Sequence, residues 1–168
     1  MARVIAGEAG GRRLAVPDGR GTRPTSDRAR EGLFATIVSL TGSLAGTRVL
    51  DLYAGSGAVG LEALSRGAEH VLLVESGSRA ARVIRDNIEA IGLPGAELRT
   101  DRVERVLPKG PDPEPYDVVF ADPPYALPGD EIAAMLAALD QHGWLASGAR
   151  VIVERATRSG PVSWPAGL

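Results

Sequence analysis

A carboxylate, two imino acids and an aromatic ring stand together at Asp122-Pro123-Pro124-Tyr125. They end the apolar run Val118-Val119-Phe120-Ala121. Two prolines cannot continue a central strand, so the run must stop in a rigid loop. Such a loop suits a flat molecule that carries an amino group. Tyr125 can stack on its face, while Asp122 and the Pro123 carbonyl accept hydrogen bonds from its NH2. An ordinary turn begun by aspartate would use the same residue types. A second group of residues must therefore decide between the two readings.

That group lies upstream, in Val49-Leu50-Asp51-Leu52-Tyr53-Ala54-Gly55-Ser56-Gly57-Ala58-Val59-Gly60. A short apolar strand runs into three glycines and then into the helical pattern Leu61-Glu62-Ala63-Leu64. Glycines at a strand-to-helix turn permit positive φ and close approach of a ligand to the backbone. A second apolar strand, Val71 to Val74, ends in Glu75, where an acid can accept from ribose hydroxyls. The pattern is also the dinucleotide fingerprint G-x-G-x-x-G. Two features favour S-adenosylmethionine over NAD. Asp51 at the strand tip would oppose a pyrophosphate but suits the ammonium of an amino-acid moiety. Asp-Pro-Pro-Tyr has no role in hydride transfer.

Asp51-Leu52-Tyr53-Ala54-Gly55-Ser56-Gly57, Glu75, Asp101 and Asp122-Pro123-Pro124-Tyr125 together resemble the successive motifs of class I S-adenosylmethionine-dependent methyltransferases. The last motif is typical of those that methylate exocyclic amino nitrogens. Arg3-Val4-Ile5-Ala6-Gly7, Gly11-Arg12-Arg13-Leu14, Arg23-Pro24-Thr25 and Arg30-Glu31-Gly32-Leu33-Phe34 are more specific. With them, nearly the whole chain resembles the bacterial 16S rRNA (guanine(966)-N(2))-methyltransferase family. The resemblance implies methyl transfer to a guanine N2 amino group of small-subunit rRNA, free or in the assembled subunit. It implies Asp122, Pro123 and Tyr125 at the reacting amine. It places Asp51, Tyr53, Gly55 and Gly57 at the methionine end of the cofactor, Glu75 at its ribose, and Asp101 with Arg102 at its adenine edge. Arg3, Arg12, Arg13, Arg23, Thr25 and Arg30 become candidate RNA contacts. Asp-Pro-Pro-Tyr is shared with adenine-N6 methyltransferases acting on DNA or RNA, and the N-terminal signature separates the two. An NAD-dependent oxidoreductase and a noncatalytic RNA-binding module remain as rival readings.

Charge distribution bears on the partner. The formal net charge is −2, yet residues 1–35 hold seven arginines against four acids, a net of +3, which leaves −5 for the rest. An arginine-rich leading segment on an acidic body can form a phosphate-binding footprint. Lys109 is the only lysine, so arginine is also simply this protein's usual cation. With no cysteine, disulfides and thiolate metal sites are excluded. No metal is expected, because a sulfonium already activates its methyl group. No apolar run is long enough to span a bilayer and no signal-peptide core is visible. A cytoplasmic monomer is expected.

These residues need a scaffold. Val4-Ile5 and Leu14-Ala15-Val16 flank Gly7, Gly10 and Gly11, which predicts a β-hairpin. Residues 1–24 are read as an arm for RNA and 25–168 as the methyltransferase domain. Thr25 or Ser26 can cap a helix whose inner face is Ala29, Leu33, Phe34, Ile37, Val38 and Leu40. Strands are expected near 48–52, 71–75, 97–100, 117–121 and 149–154, with helices near 58–66, 78–91 and 130–141. The proline-rich stretch 108–115 is read as an exposed loop. Alternation of this kind predicts a Rossmann-like, mostly parallel sheet with helices on both faces. Asp51, Glu75, Asp101 and Asp122 would then meet at the carboxyl ends of the strands. Only Val162-Ser163-Trp164 follows Glu154 as a further apolar segment, so the antiparallel hairpin that usually closes such sheets is expected to be missing.

Overall fold

Five short apolar segments pair side by side in the computed structural model, which describes residues 2–16, 26–124, 126–154, 164–165 and 168. They are β3 (Arg48–Leu52), β4 (His70–Val74), β5 (Ala96–Arg99), β6 (Tyr116–Ala121) and β7 (Leu145–Val153). Their order is β5-β4-β3-β6-β7, and every neighbouring pair is parallel. β3 and β4 are buried from their second residue onward. Burial on both faces explains why they read as continuous apolar runs rather than alternating ones.

Helices cover both faces. α2 (Ala58–Ser65) and α3 (Ser78–Ile91) pack on one face; α4 (Val103–Val106) and α5 (Gly129–Gln141) pack on the other. α2 is buried on all sides, as expected of a helix that is apolar all round. Gly92 ends α3 with φ 70°, and its N–H donates to Ile88 O. Such a left-handed residue is the usual helix stop.

The N-terminal residues cover the outer side of α2. β1 (Ala2–Arg3) pairs antiparallel with β2 (Arg13–Leu14), a shorter ladder than the sequence suggests. Val4, Ala9 and Leu14 are buried in the same core as α2 and β3. A hairpin of this size is barely stable alone, and here it docks on the body. Gly7 has φ 84°, and a Cβ there would lie 1.9 Å from Ser65 O. α1 (Asp27–Thr41) follows, with the Ser26 hydroxyl accepting from Ala29 N at 3.1 Å. Its buried face is Arg30, Phe34 and Ile37, whereas Ala29 and Leu40 are exposed. The expected apolar stripe is therefore rotated, because Arg30 and not Ala29 turns inward.

Three further expectations shift. β7 begins at Leu145, four residues early, and its pairing with β6 is irregular between Tyr116 and Val118. The one-turn helix α4 is absent from the sequence reading. The proline-rich stretch 108–115 is mostly exposed, as expected, but it opens on a 3-10 turn, Leu107–Lys109, whose first residue is buried and accepts from Trp144 Nε1 at 2.7 Å. The last segment, Val162-Ser163, lies outside the described residues, as do Tyr125, Arg23 and Thr25.

Candidate active site

Strand order reverses between β3 and β6, and their carboxyl ends diverge there into a glycine turn and a proline turn. Such a crevice is where open α/β sheets bind ligands. Asp51 and Leu52 face Phe120 and Ala121 in register. The pairing runs one bond further, from Asp122 N to Leu52 O at 3.4 Å. Asp122 therefore sits directly beside the start of the glycine turn.

Tyr53, Gly55 and Gly57 have φ of 58°, 61° and 81°. Tyr53 is the one non-glycine with positive φ among the described residues. Left-handed backbone at a non-glycine costs free energy and tends to occur where function requires the shape. The three glycines do different work. A Cβ at Gly55 would meet nothing within 4 Å, so the turn borders open space there. At Gly57 it would press on Leu73 and Ile84 at 3.1 and 3.3 Å. At Gly60 it would lie 2.9 Å from Val71 and 3.0 Å from Asp51. Gly60 thus lets α2 pack closely on the sheet and lines no open space.

Asp51 is 1% exposed, and its Oδ2 accepts from Gly60 N at 2.9 Å. Its pKa is raised well above the usual aspartate value. Burial is the main cause, the Gly60 bond opposes it, and the nearby Asp122 and Glu75 carboxylates add to it. Asp122 and Glu75, from two other strand ends, are therefore within electrostatic reach of Asp51. Glu75 splits its carboxylate, with Oε1 accepting from Gly55 N and Oε2 from Gly77 N, both at 2.8 Å. Two of roughly four lone-pair positions remain for a ligand. Asp101 stands two residues past β5 and accepts from Arg102 N at 2.7 Å; Arg102 precedes α4 and is exposed.

Pro123 is buried and Pro124 exposed. The Pro124 carbonyl accepts from Leu127 N at 2.9 Å, which closes the turn. Among the described residues nothing donates to the Pro123 carbonyl. Tyr53 packs against the core on the α4 and α5 face of the sheet. Its phenol is pushed up to about 12, by burial first and then by the carboxylates of Glu104 and Glu131.

These features match known proteins along most of the chain. The family described as Conserved hypothetical protein 95 matches residues 2–168. Ribosomal RNA small subunit methyltransferase D of Escherichia coli K12 is 35% identical over 96% of this chain and 80% of its own. Putative rRNA methyltransferase YlbH of Bacillus subtilis is 34% identical over 90% of this chain and 81% of its own. The solved structure of putative methyltransferase yhhF from Escherichia coli superposes with a TM-score of 0.81 at 34% identity, covering 98% of this chain and 85% of that one.

The chain belongs to this family. It is a methyltransferase, and its mostly parallel sheet is the Rossmann-like methyltransferase architecture. Within this family member the candidate RNA contacts divide sharply. Arg3 and Arg13 are exposed. Arg12 reaches the end of α3, donating from Nη1 to Ala90 O at 3.0 Å and Ile91 O at 2.6 Å. Arg30 is no surface cation. It is 0% exposed, donates to Arg3 O, pairs with Asp27 at 3.0 Å and lies 3.6 Å from buried Glu62. Helix periodicity turns it inward, onto Glu62, an acid that is not among the sequence-based site candidates.

Glu62 itself accepts from Ile5 N at 2.7 Å and Ala6 N at 3.1 Å, and pairs with Arg66 at 2.8 Å. Ser65 and Asn87 hold the hairpin in similar ways. An acid inside the apolar Leu61–Leu64 run, and an asparagine between Ile84 and Ile91, were the sequence signals for these anchors. Among the described residues no group of three His, Cys, Asp or Glu side chains could hold a metal. No described helix is long and apolar enough to cross a membrane. A groove of about 670 Å3, lined by Leu40, Leu145, Val151, Trp164 and Leu168, runs along β7. It contains none of the strand-end acids, and the chemistry points to the β3–β6 crevice instead.

Proposed function

We propose that the protein transfers the methyl group of S-adenosylmethionine to the exocyclic N2 amino group of a guanine in small-subunit (16S) ribosomal RNA. The observation that carries this reading is that Asp51, Glu75 and Asp122 stand at or just past the carboxyl ends of three neighbouring strands around the β3–β6 switch point, beside a glycine turn open at Gly55. The 35% identity to an rRNA small subunit methyltransferase supports the substrate class.

The residues present fit that cofactor. Buried Asp51 can ionise against an ammonium, Glu75 retains acceptor positions for ribose hydroxyls, and Asp101 with Arg102 can meet the adenine edge. NAD fits less well. A pyrophosphate would seek the orphan N–H groups at the start of α2, and the Gly60 N–H is already taken by the Asp51 carboxyl.

When bound, S-adenosylmethionine supplies a sulfonium methyl open to in-line attack by an amine nitrogen, with the carbon–sulfur electron pair returning to sulfur. The lone pair of a guanine amine is delocalised into the ring. Asp122 and the Pro123 carbonyl accept its two hydrogens, which favours a pyramidal nitrogen with its lone pair aimed at the methyl. This is positioning plus electrostatic stabilisation. The surplus proton passes to Asp122 or to water. Tyr125 stacks on the base, and exposed Arg3 and Arg13 contact phosphates. The test is mass spectrometry of rRNA nucleosides after incubation with labelled S-adenosylmethionine. Labelled N2-methylguanosine supports the reading; N6-methyladenosine or no label refutes it.

A further inference from the structure

Asn87 uses every hydrogen-bonding group of its side chain, on two parts of the molecule that the proposed reaction needs together. Its Oδ1 accepts from Ala15 N at 2.8 Å. Its Nδ2 donates to Ala15 O at 2.9 Å and to Ser56 O at 2.9 Å. Ala15 directly follows β2 of the hairpin. Ser56 lies between Gly55 and Gly57 in the turn. The pattern leaves one orientation of the amide, since two carbonyls require the NH2 and the Ala15 N–H requires the oxygen.

The residue is 2% exposed on the inner face of α3, between Ile84 and Ile91. A bond lost there leaves a buried polar group unpaired, which is costly. The carboxamide is planar, so a shift that follows Ser56 also carries Nδ2 and Oδ1 away from Ala15. Glu62 and Ser65 hold the hairpin on α2, but neither bonds to the turn. Among the described residues Asn87 is the side chain bonded to both.

We propose that Asn87 is a positioning residue that couples occupancy of the glycine turn to the order of the N-terminal hairpin, so that cofactor and RNA bind cooperatively. This rests on the reading that the cofactor lies on the turn and RNA on the hairpin. Coupling of this kind is reciprocal: each ligand raises the affinity for the other by the same factor.

The first measurement uses the unmodified protein. Hydrogen exchange of the Ala15 amide is followed with and without S-adenosylhomocysteine, with an expected slowing of about fivefold or more. The second is the affinity for 16S rRNA, free or in assembled small subunits, whichever the protein binds. S-adenosylhomocysteine should tighten it by a similar factor. That factor should fall to near one in Asn87→Ala and persist in Ser65→Ala, which loosens the hairpin without touching the turn. Unchanged Ala15 exchange in a protein that binds both ligands overturns the coupling and leaves the functional reading intact. Equal loss of cooperativity in Ser65→Ala assigns the coupling to docking in general and overturns the role of Asn87. Failure of the unmodified protein to bind either ligand refutes the functional reading itself, and this inference with it. The exchange measurement decides the matter even if Asn87→Ala does not fold.

Discussion

Glu75 and Gly55 are joined by a 2.8 Å hydrogen bond from the glycine N–H to Oε1, across the tips of the adjacent strands β4 and β3. The other carboxylate oxygen holds Gly77 N, just before α3. One acid thus fixes both the turn that borders the open crevice and the start of the next helix. Its remaining lone pairs are the acceptors that the proposed function assigns to the ribose hydroxyls.

Glu75→Ala should therefore act on cofactor binding in two ways, by removing acceptors and by releasing the turn. Loss of a charge-assisted hydrogen bond is worth about 1–3 kcal/mol. Calorimetry with S-adenosylhomocysteine should show a weakening of at least that size. An unchanged dissociation constant would place the ribose elsewhere.

Asp122 should divide chemistry from binding. It begins the proline turn, on the β6 side of the crevice, whereas Glu75 lies on the β4 side. Asp122→Ala is expected to abolish methyl transfer while S-adenosylhomocysteine still binds. Tyr125→Ala should instead loosen the base, since stacking contributes about 1–3 kcal/mol per base. Single-turnover transfer at the unmodified rate by Asp122→Ala would remove this aspartate from the mechanism.

The raised pKa of Asp51 has a definite sign. Its carboxyl holds a proton more tightly folded than unfolded, so its contribution to stability falls as pH rises from the ordinary aspartate value of 3.8 through the raised value. Pairing with an ammonium favours the ionised form. S-adenosylhomocysteine should therefore bind more tightly as pH rises through that window, with release of a proton. Isothermal titration in buffers of different ionisation enthalpy measures the release. Asp51→Asn should abolish it, and an unaltered proton count would clear Asp51 of contact with the amino group.

Arg30 and Arg13 should separate stability from RNA binding. Removing one partner of a buried ion pair costs about 3–5 kcal/mol, so Arg30→Ala should lower the melting temperature markedly. Arg13→Ala should leave melting unchanged and flatten the salt dependence of RNA affinity by about 0.7–0.9 in log–log slope. A melting temperature that does not move in Arg30→Ala would contradict its burial.

Much of the scaffold is legible in local pattern. Continuous apolar runs predict β3, β4 and β6 to within a residue, because strands buried on both faces have no polar side to blur them. Glycines and prolines place the two turns, because each restricts the backbone through its own covalent structure. Strand ends then place Asp51, Glu75, Asp101 and Asp122 on one side of the sheet. What local pattern cannot carry is which element meets which. The order β5-β4-β3-β6-β7, and with it the approach of Asp51 to Asp122, arises from strands far apart in the chain. Arg30 resembles its exposed neighbours in type and differs only in facing Glu62 on another helix. Asn87 looks like a flaw in an apolar stripe until Ala15 and Ser56 come within 3 Å of it. Side-chain type and spacing determined the kind of chemistry this chain can do. Long-range packing decided which charged groups are left at the surface to do it, because burial and pairing depend on partners that sequence distance does not reveal.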